Sequence, residues 1–380
     1  MQIYLDYSAT TPTRPEAIAT LQHVLTEEWG NPSSLHHWGQ RSALAIETAR
    51  WAVAQLIGAP PESLVFTSGG TESNNLAILG VARRVLEPRH LIISSLEHSA
   101  VEKPAQMLEQ QGWRVTRLPV DAQGRIDPED LRVELQDDTA LVSVIYGQSE
   151  VGTLQPLAEL AAIAHEAGVL FHTDAVQVAG RVPLDVGQLK VDLLSLSSHK
   201  LYGPQGVGAL YVRPGVELTT VFGGGSQEGD RRPGTQAVAA IAAFGTAARL
   251  AAQELESESQ RLVILRDRLI TQLVALAGVE LTGDRHHRLP HHASFSIERA
   301  VTAVSGRQLV YQMNLAGIGI SAGSACDSGQ SVPSRVLKAM GYGDRAALSA
   351  IRLTLGKQTT TADVDWAALA LGQILDRNYS

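Results

Sequence analysis

Lys200 closes a stretch that begins with the apolar run Val191-Asp192-Leu193-Leu194 and continues through Ser195-Leu196-Ser197-Ser198-His199. The run reads as a buried strand, and Gly203-Pro204-Gln205-Gly206 reads as the loop that ends the stretch. An ammonium at such a strand end is costly to desolvate, so its pKa can fall and its amine can become a nucleophile. Taken alone, a lysine after a strand is more often an ordinary surface residue. Other strand ends carry polar groups that change the balance. Asp174 follows Phe171-His172-Thr173, and a carboxylate there needs a cation or several donors. Gln177, three residues on, can lie on the same side and donate to a phenolic oxygen. Gly69-Gly70-Thr71 opens a helix, where small residues let backbone N–H groups approach an anion. By itself that turn is equally an ordinary capped helix start, and no Gly-Lys-Ser/Thr follows to make a nucleotide loop. His98 can stack on a flat ring and handle protons near neutral pH, although a lone histidine is more often structural.

The elements that must position these groups alternate. Strand-like segments occur at Ser63–Thr67, His90–Ser95, Arg114–Leu118, Thr139–Tyr146, Val169–Thr173, Val191–Ser197 and Val207–Val212, with helical patterns between several of them. This predicts an α/β fold with a mostly parallel sheet flanked by helices. Ligands in such sheets sit beyond the carboxyl ends of the strands, where Lys200, Asp174, His98 and Gly69–Thr71 all fall. A helix is expected from Pro15 to the breaker Gly30-Asn31-Pro32, and another over Trp38–Leu56. The pattern from Gly234 to about Ala277 is helical throughout, and its length predicts more than one helix, one of them bridging two domains. Beyond it the chain reads as a smaller α+β unit with a Gly/Ser-rich loop at Ser321–Ser334. The expected division is a large α/β domain over 15–255 and a small domain made of 1–14 and 256–380, the latter carrying Cys326.

The 380 residues suffice for such a pair of cores, and a formal net charge of -8 does not favour a nucleic-acid partner. No apolar run is long enough to span a bilayer and the first residues lack a signal-peptide layout, so a cytoplasmic protein is expected. The single cysteine, Cys326, excludes an intrachain disulfide. A lysine for a Schiff base, an acid for a pyridinium and donors for a phosphate are together the parts of a pyridoxal phosphate site.

At that point the chain resembles the class V aminotransferase family, fold-type I pyridoxal phosphate enzymes, and within it the cysteine desulfurases of the nitrogen-fixation and iron–sulfur-assembly branch. The resemblance rests on Tyr4-Leu5-Asp6-Tyr7-Ser8-Ala9-Thr10-Thr11, Gly30-Asn31-Pro32, Phe66-Thr67-Ser68-Gly69-Gly70-Thr71-Glu72-Ser73-Asn74-Asn75 and Glu97-His98. It continues through His172-Thr173-Asp174-Ala175-Val176-Gln177, Ser197-Ser198-His199-Lys200, Arg232-Pro233-Gly234-Thr235, Ser321-Ala322-Gly323-Ser324-Ala325-Cys326 and Ile351-Arg352-Leu353. It implies that Lys200 carries the cofactor, that Asp174 pairs with the ring nitrogen and Gln177 with the ring oxygen, and that His98 stacks on the ring. It implies phosphate contacts from Gly70, Thr71, Ser197 and His199, and from Thr235 of a second subunit in a homodimer. Arg352, with Asn31, would bind the substrate carboxylate.

Cys326 decides the implied reaction. The resemblance makes it the thiolate that takes sulfur from L-cysteine, leaving L-alanine and a persulfide for an iron–sulfur scaffold or another acceptor. The polar, Gly-rich neighbourhood favours an accessible thiol over an inert buried one. Rival readings are a transaminase or a cystine or selenocysteine lyase with Cys326 incidental, and a cofactor-binding regulatory homologue without turnover. The chain departs from the family at Gln148-Ser149, where a pair of asparagines is usual, and Ser149 cannot donate to the cofactor through an amide. The segment Ser226–Asp230 is one residue longer than usual. The chain also ends short of the C-terminal extension by which some members dock a scaffold, which bears on the acceptor. The histidines of His286-His287-Arg288-Leu289-Pro290-His291-His292 read as a solvated loop leading into a strand, not as metal ligands.

Overall fold

A computed structural model of the chain describes residues 2–298, 305–323 and 332–379. Its centre is a seven-stranded sheet. In spatial order the strands are Leu64–Thr67, Gly208–Val212, Leu193–Ser197, Leu170–Asp174, Thr139–Ser143, His90–Ser94 and Arg114–Leu118. Five neighbouring strands, from Leu193–Ser197 to Arg114–Leu118, run parallel. Gly208–Val212 is antiparallel to both of its neighbours. Successive side chains of a strand leave on opposite faces, so each strand feeds two cores. Leu194, Leu196, Phe171 and Ile92 join the core on one face, and Leu193, Leu91, Ile93 and Val65 join the core on the other. Helices cover both faces, and this is why these strands read as continuous apolar runs.

A four-stranded antiparallel sheet forms a second layer: Ser321–Ala322, Ile351–Thr354, His292–Ile297 and Val279–Leu281. Its core, with Phe295, Leu353 and Leu371, also takes Leu5 from the N-terminus, where Ile3–Tyr4 pairs with Ile318–Gly319.

The region from Gly234 onward holds one helix and not several. Val238–Val274 is continuous over 37 residues, about 55 Å at the α-helical rise. Its first half packs Phe244, Ala247 and Ala251 into the large-sheet core, and its second half packs Leu262, Leu265 and Leu269 into the other. Gly245 does not break it, because that position lies against helix His37–Leu56, where a Cβ would sit 2.5 Å from Ala49 Cα. Close approach of two helices, not a turn, is what this glycine serves.

The histidine-rich piece is also different from the expected solvated loop. His286 and His287 are exposed, whereas His291 and His292 are fully buried. Arg288 causes the fold-back: its buried guanidinium donates to the carbonyls of Asp284, Thr282 and His292. Burial keeps both inner imidazoles well below their ordinary pKa, so they are neutral. Among the described residues, no helix is long and apolar enough to cross a membrane.

Candidate active site

A cavity of about 180 Å³ opens at the carboxyl ends of the parallel strands. Gly70, Thr71, Asn74, His98, Ser149, Asp174, Gln177, Ser197, His199 and Lys200 line it, so most of the residues singled out in the sequence meet there. Most come from a strand end, the turn after it or the start of the following helix, and Ser149 comes from the loop between Thr139–Ser143 and Leu157–Glu166.

Asp174 is the last residue of its strand and is 4% exposed. Its carboxylate accepts from Val176 N at 2.9 Å and from Asn74 Nδ2 at 2.6 Å. Among the described residues no cationic side chain pairs with it. Sequence reasoning gives Asn74 no role, yet it holds the acid, and its Oδ1 is buried without a partner among the described residues. A signal for it exists: Asn74 follows Thr71 by three residues, which puts both on one face of a helix.

Helix Gly70–Ala82 starts without a side-chain cap on its N-terminal N–H groups. Glu72 instead accepts from Ser68 N at 2.7 Å and pairs with Arg232 at 2.8 Å. Gly69 takes φ 152°, and a Cβ on Gly70 would fall 2.7 Å from Val176 Cγ2, so the turn admits backbone where other residues would intrude. The free helix end is a positive pole aimed at the same space as Ser197 and His199. Burial, with help from the Lys200 charge, lowers the His199 pKa to about 4. The ring is therefore neutral near pH 7, and its Nδ1 shares a hydrogen bond with Thr10 Oγ1 at 3.0 Å.

Lys200 ends a short 3-10 turn after Leu193–Ser197. Its Nζ donates to Ser8 O at 2.5 Å and Ala9 O at 2.7 Å. Gln177 Nε2 donates to the same Ser8 carbonyl at 3.0 Å. Ser8 is fixed in turn by Thr354 Oγ1 and by His291, which is where one of the buried histidines acts. His98 caps helix Ser99–Gln110, with Nδ1 accepting from Ala100 N at 3.1 Å. A neutral ring so held carries its proton on Nε2.

The model of the family described as aminotransferase class-V matches residues 3–366. The chain belongs to this family. A cysteine desulfurase IscS of Dictyoglomus turgidum is 44% identical over 378 residues, covering 99% of this chain and 95% of that protein. Of solved structures, a NifS-like protein superposes with a TM-score of 0.92 at 33% identity, covering 99% of this chain and 100% of the other. SspA in complex with cysteine superposes with a TM-score of 0.82 at 32% identity, over 93% and 99%. The fold is the fold-type I architecture of these class V proteins.

Three of the expected site residues, Arg352, Thr235 and Asn31, do not line the class V cavity. Arg352 is 4% exposed and sits one step behind it. Its Nη1 donates to Ser149 O at 3.0 Å, its Nη2 to Asp6 Oδ1 at 2.7 Å, and its Nε is buried without a partner among the described residues. The Ser149 carbonyl also accepts from His292 Nε2 at 3.0 Å. Thr235 is exposed. Asn31 is exposed as well, its Oδ1 accepting from Ser33 N. Cys326 lies outside the described residues. The chain entering its segment is placed by Ser321, which pairs with Arg352 across the strands, and by Gly323 N donating to Ala350 O at 3.1 Å. The chain leaving it is placed by Ser334, whose Oγ donates to Glu150 Oε2 at 2.6 Å.

Proposed function

We propose that the protein is a pyridoxal phosphate-dependent cysteine desulfurase that converts L-cysteine to L-alanine and leaves the sulfur as a persulfide on Cys326. The observation that carries this reading is a lysine and a buried carboxylate, without a cation of its own among the described residues, in one cavity, at 44% identity to a cysteine desulfurase. The donor set fits the cofactor. Asp174 suits a protonated ring nitrogen, Gln177 and Ser149 the side of the ring oxygen, and Lys200 the aldehyde carbon. The uncapped helix start at Gly70, with Thr71, Ser197 and His199, suits a phosphate, and Thr235 of a partner subunit would complete it. When bound, the cofactor supplies a sink for the electron pair left at the substrate Cα.

The chain's own residues do the rest. Arg352, seconded by Asn31, would bind the substrate carboxylate by turning its guanidinium fork, which is shaped for a carboxylate, away from Ser149 O and Asp6. Lys200 takes and returns the proton at Cα. His98, fixed with its proton on Nε2, offers a donor to the reacting group. The Cys326 thiolate attacks the substrate sulfur. A new S–S bond forms, the Cβ–S bond breaks with its electron pair left on carbon, and that carbon takes a proton. Cysteine plus thiol gives alanine plus persulfide, with no outside oxidant or reductant.

The protein would act as a cytoplasmic homodimer. Trp29 (66% exposed), Leu35 (91%) and Trp51 (59%), on or beside the two N-terminal helices, are large exposed apolar side chains of the kind a subunit interface covers. A thiol on an iron–sulfur scaffold or another acceptor protein would then take the sulfur.

The test is alanine release from L-cysteine with a reducing thiol and no amino acceptor. Turnover is expected in the wild type and a fall of at least about 100-fold in Cys326→Ala, the loss of a covalent nucleophile. A requirement for an amino acceptor would favour transamination, and undiminished turnover in Cys326→Ala would favour a lyase. Cofactor absorbance unmoved by L-cysteine would favour a regulatory homologue. Each of these contradicts the proposal.

A further inference from the structure

Glu97 is a buried acid for which the reaction above has no use. Strands His90–Ser94 and Thr139–Ser143 pair in parallel as far as Ile93 and Ser143. Beyond that point the first strand turns away through Ser95 and Leu96. The second continues beside the Asp174 strand, with Tyr146 N donating to Asp174 O at 3.0 Å. On its other side, the N–H of Ile145 has lost its ladder neighbour. Glu97 Oε1 accepts it at 2.6 Å, so a side chain replaces a strand carbonyl. The turn is tied twice more, by Gln148 Nε2 to Leu96 O at 3.3 Å and by Arg335 Nη2 to Glu97 O at 3.0 Å. Ile145 and His98, the residue after Glu97, both line the cavity.

The surroundings do not suit a carboxylate. Glu97 is 1% exposed, and its Oε2 has no hydrogen-bond partner among the described residues. The charged and titratable groups near it are Asp174 on the neighbouring strand, His98 and Glu102 on the following helix, and Arg335 on helix Arg335–Ala339. Arg335 meets the Glu97 backbone oxygen and, at 3.8 Å, Glu102, while Arg117 is engaged by Glu102 and Glu109. No cation among the described residues therefore pairs with the Glu97 carboxyl. Burial, and next the charge of Asp174, hold this acid well above the usual carboxylate range.

We propose that Glu97 is a neutral carboxylic acid in the working enzyme, a positioning residue that joins the Ile145 wall of the cavity to the His98 turn. Asp174 is the one acidic group lining the cavity among the described residues, and a neutral Glu97 behind the wall puts no second negative charge beside it. The role rests on the proposed function only in taking this cavity as the reacting site.

The direct test is an infrared difference spectrum, wild-type holoenzyme minus Glu97→Gln, at mildly alkaline pH, where ordinary carboxyl groups are ionised. A protonated-carboxyl band is expected in the wild type. Glu97→Gln keeps an acceptor for Ile145 N and is expected to hold cofactor absorbance and keep kcat within about threefold. Glu97→Ala leaves that N–H unpaired, and kcat should fall about tenfold or more with KM for cysteine little changed, the signature of displaced reacting groups. Absence of the band would overturn the proposal. So would loss of activity and cofactor absorbance in Glu97→Gln equal to that in Glu97→Ala. Should Glu97→Ala not fold, the spectrum and the Gln variant decide alone. The spectrum and the cofactor absorbance do not depend on which substrate is turned over, so failure of the desulfurase reading would leave them unchanged.

Discussion

Lys200→Ala should lower the rate of alanine formation by at least two to four orders of magnitude, about the contribution of a positioned proton-transfer group. The loss should be larger than that of any residue that only orients the substrate, because one amine both anchors the cofactor and moves the Cα proton in the proposed reaction. The fold should not notice. Lys200 is half-buried, and in this structure its Nζ meets two backbone carbonyls, Ser8 O and Ala9 O. No apolar contact of either core depends on it. Steady-state alanine release, cofactor absorbance and a thermal melt on the same preparations check this. A melt close to wild type with activity lost is the expected pair of results, and a residual rate within tenfold of wild type would remove Lys200 from the chemistry.

The largest expected effect on stability lies elsewhere. Leu64–Thr67 is an edge strand of the large sheet, and the loop before the long helix covers it. Glu228, with its side chain 1% exposed, accepts from Phe66 N at 2.9 Å and pairs with both Nη atoms of Arg50 at 3.0 Å. Arg50 also donates to Leu64 O and lies over the Phe66 ring. Glu228→Ala strips a nearly buried guanidinium of its buried counter-charge, leaving it only the exposed Glu47 at Nε, and leaves a strand N–H unpaired. The expected loss is about 3–5 kcal/mol, the usual cost of breaking one side of a buried pair. Urea unfolding of single and double variants measures it. Apolar replacement of both residues together should recover much of the loss. A loss under about 1 kcal/mol for Glu228→Ala would mean that solvent reaches Arg50 freely.

What the sequence makes legible follows from where the information sits. Strands buried on both faces show as apolar runs, and polar residues at their ends stand out against them, so the order of residues alone marks Asp174, His98 and Lys200. The turn at Gly69–Thr71 is marked because small residues break the pattern. The expectation of a mostly parallel sheet does not single out Gly208–Val212 as antiparallel, although a signal exists: residues 198–207 are too few for a parallel crossover. Other features leave no such mark. Ser8 and Ala9 act through backbone carbonyls, which every residue type has. The glycine inside Val238–Val274 is explained by Gly245 meeting Ala49, a contact nearly two hundred positions away in the chain. The burial of His291 and His292 depends on Arg288 turning back on carbonyls, which histidine spacing does not reveal. In sequence, Glu97 is half of a motif beside His98. Its work, completing a strand that has lost its neighbour, appears only when the sheet register is known.

The central claim is that sulfur leaves the substrate for Cys326. Mass spectrometry of the Cys326 peptide, after brief treatment of the holoenzyme with L-cysteine and trapping of thiols, tests it most directly. One added sulfur atom on Cys326, appearing with alanine and absent from Lys200→Ala treated in the same way, is the predicted result. An enzyme that releases alanine while Cys326 carries no added sulfur would contradict it.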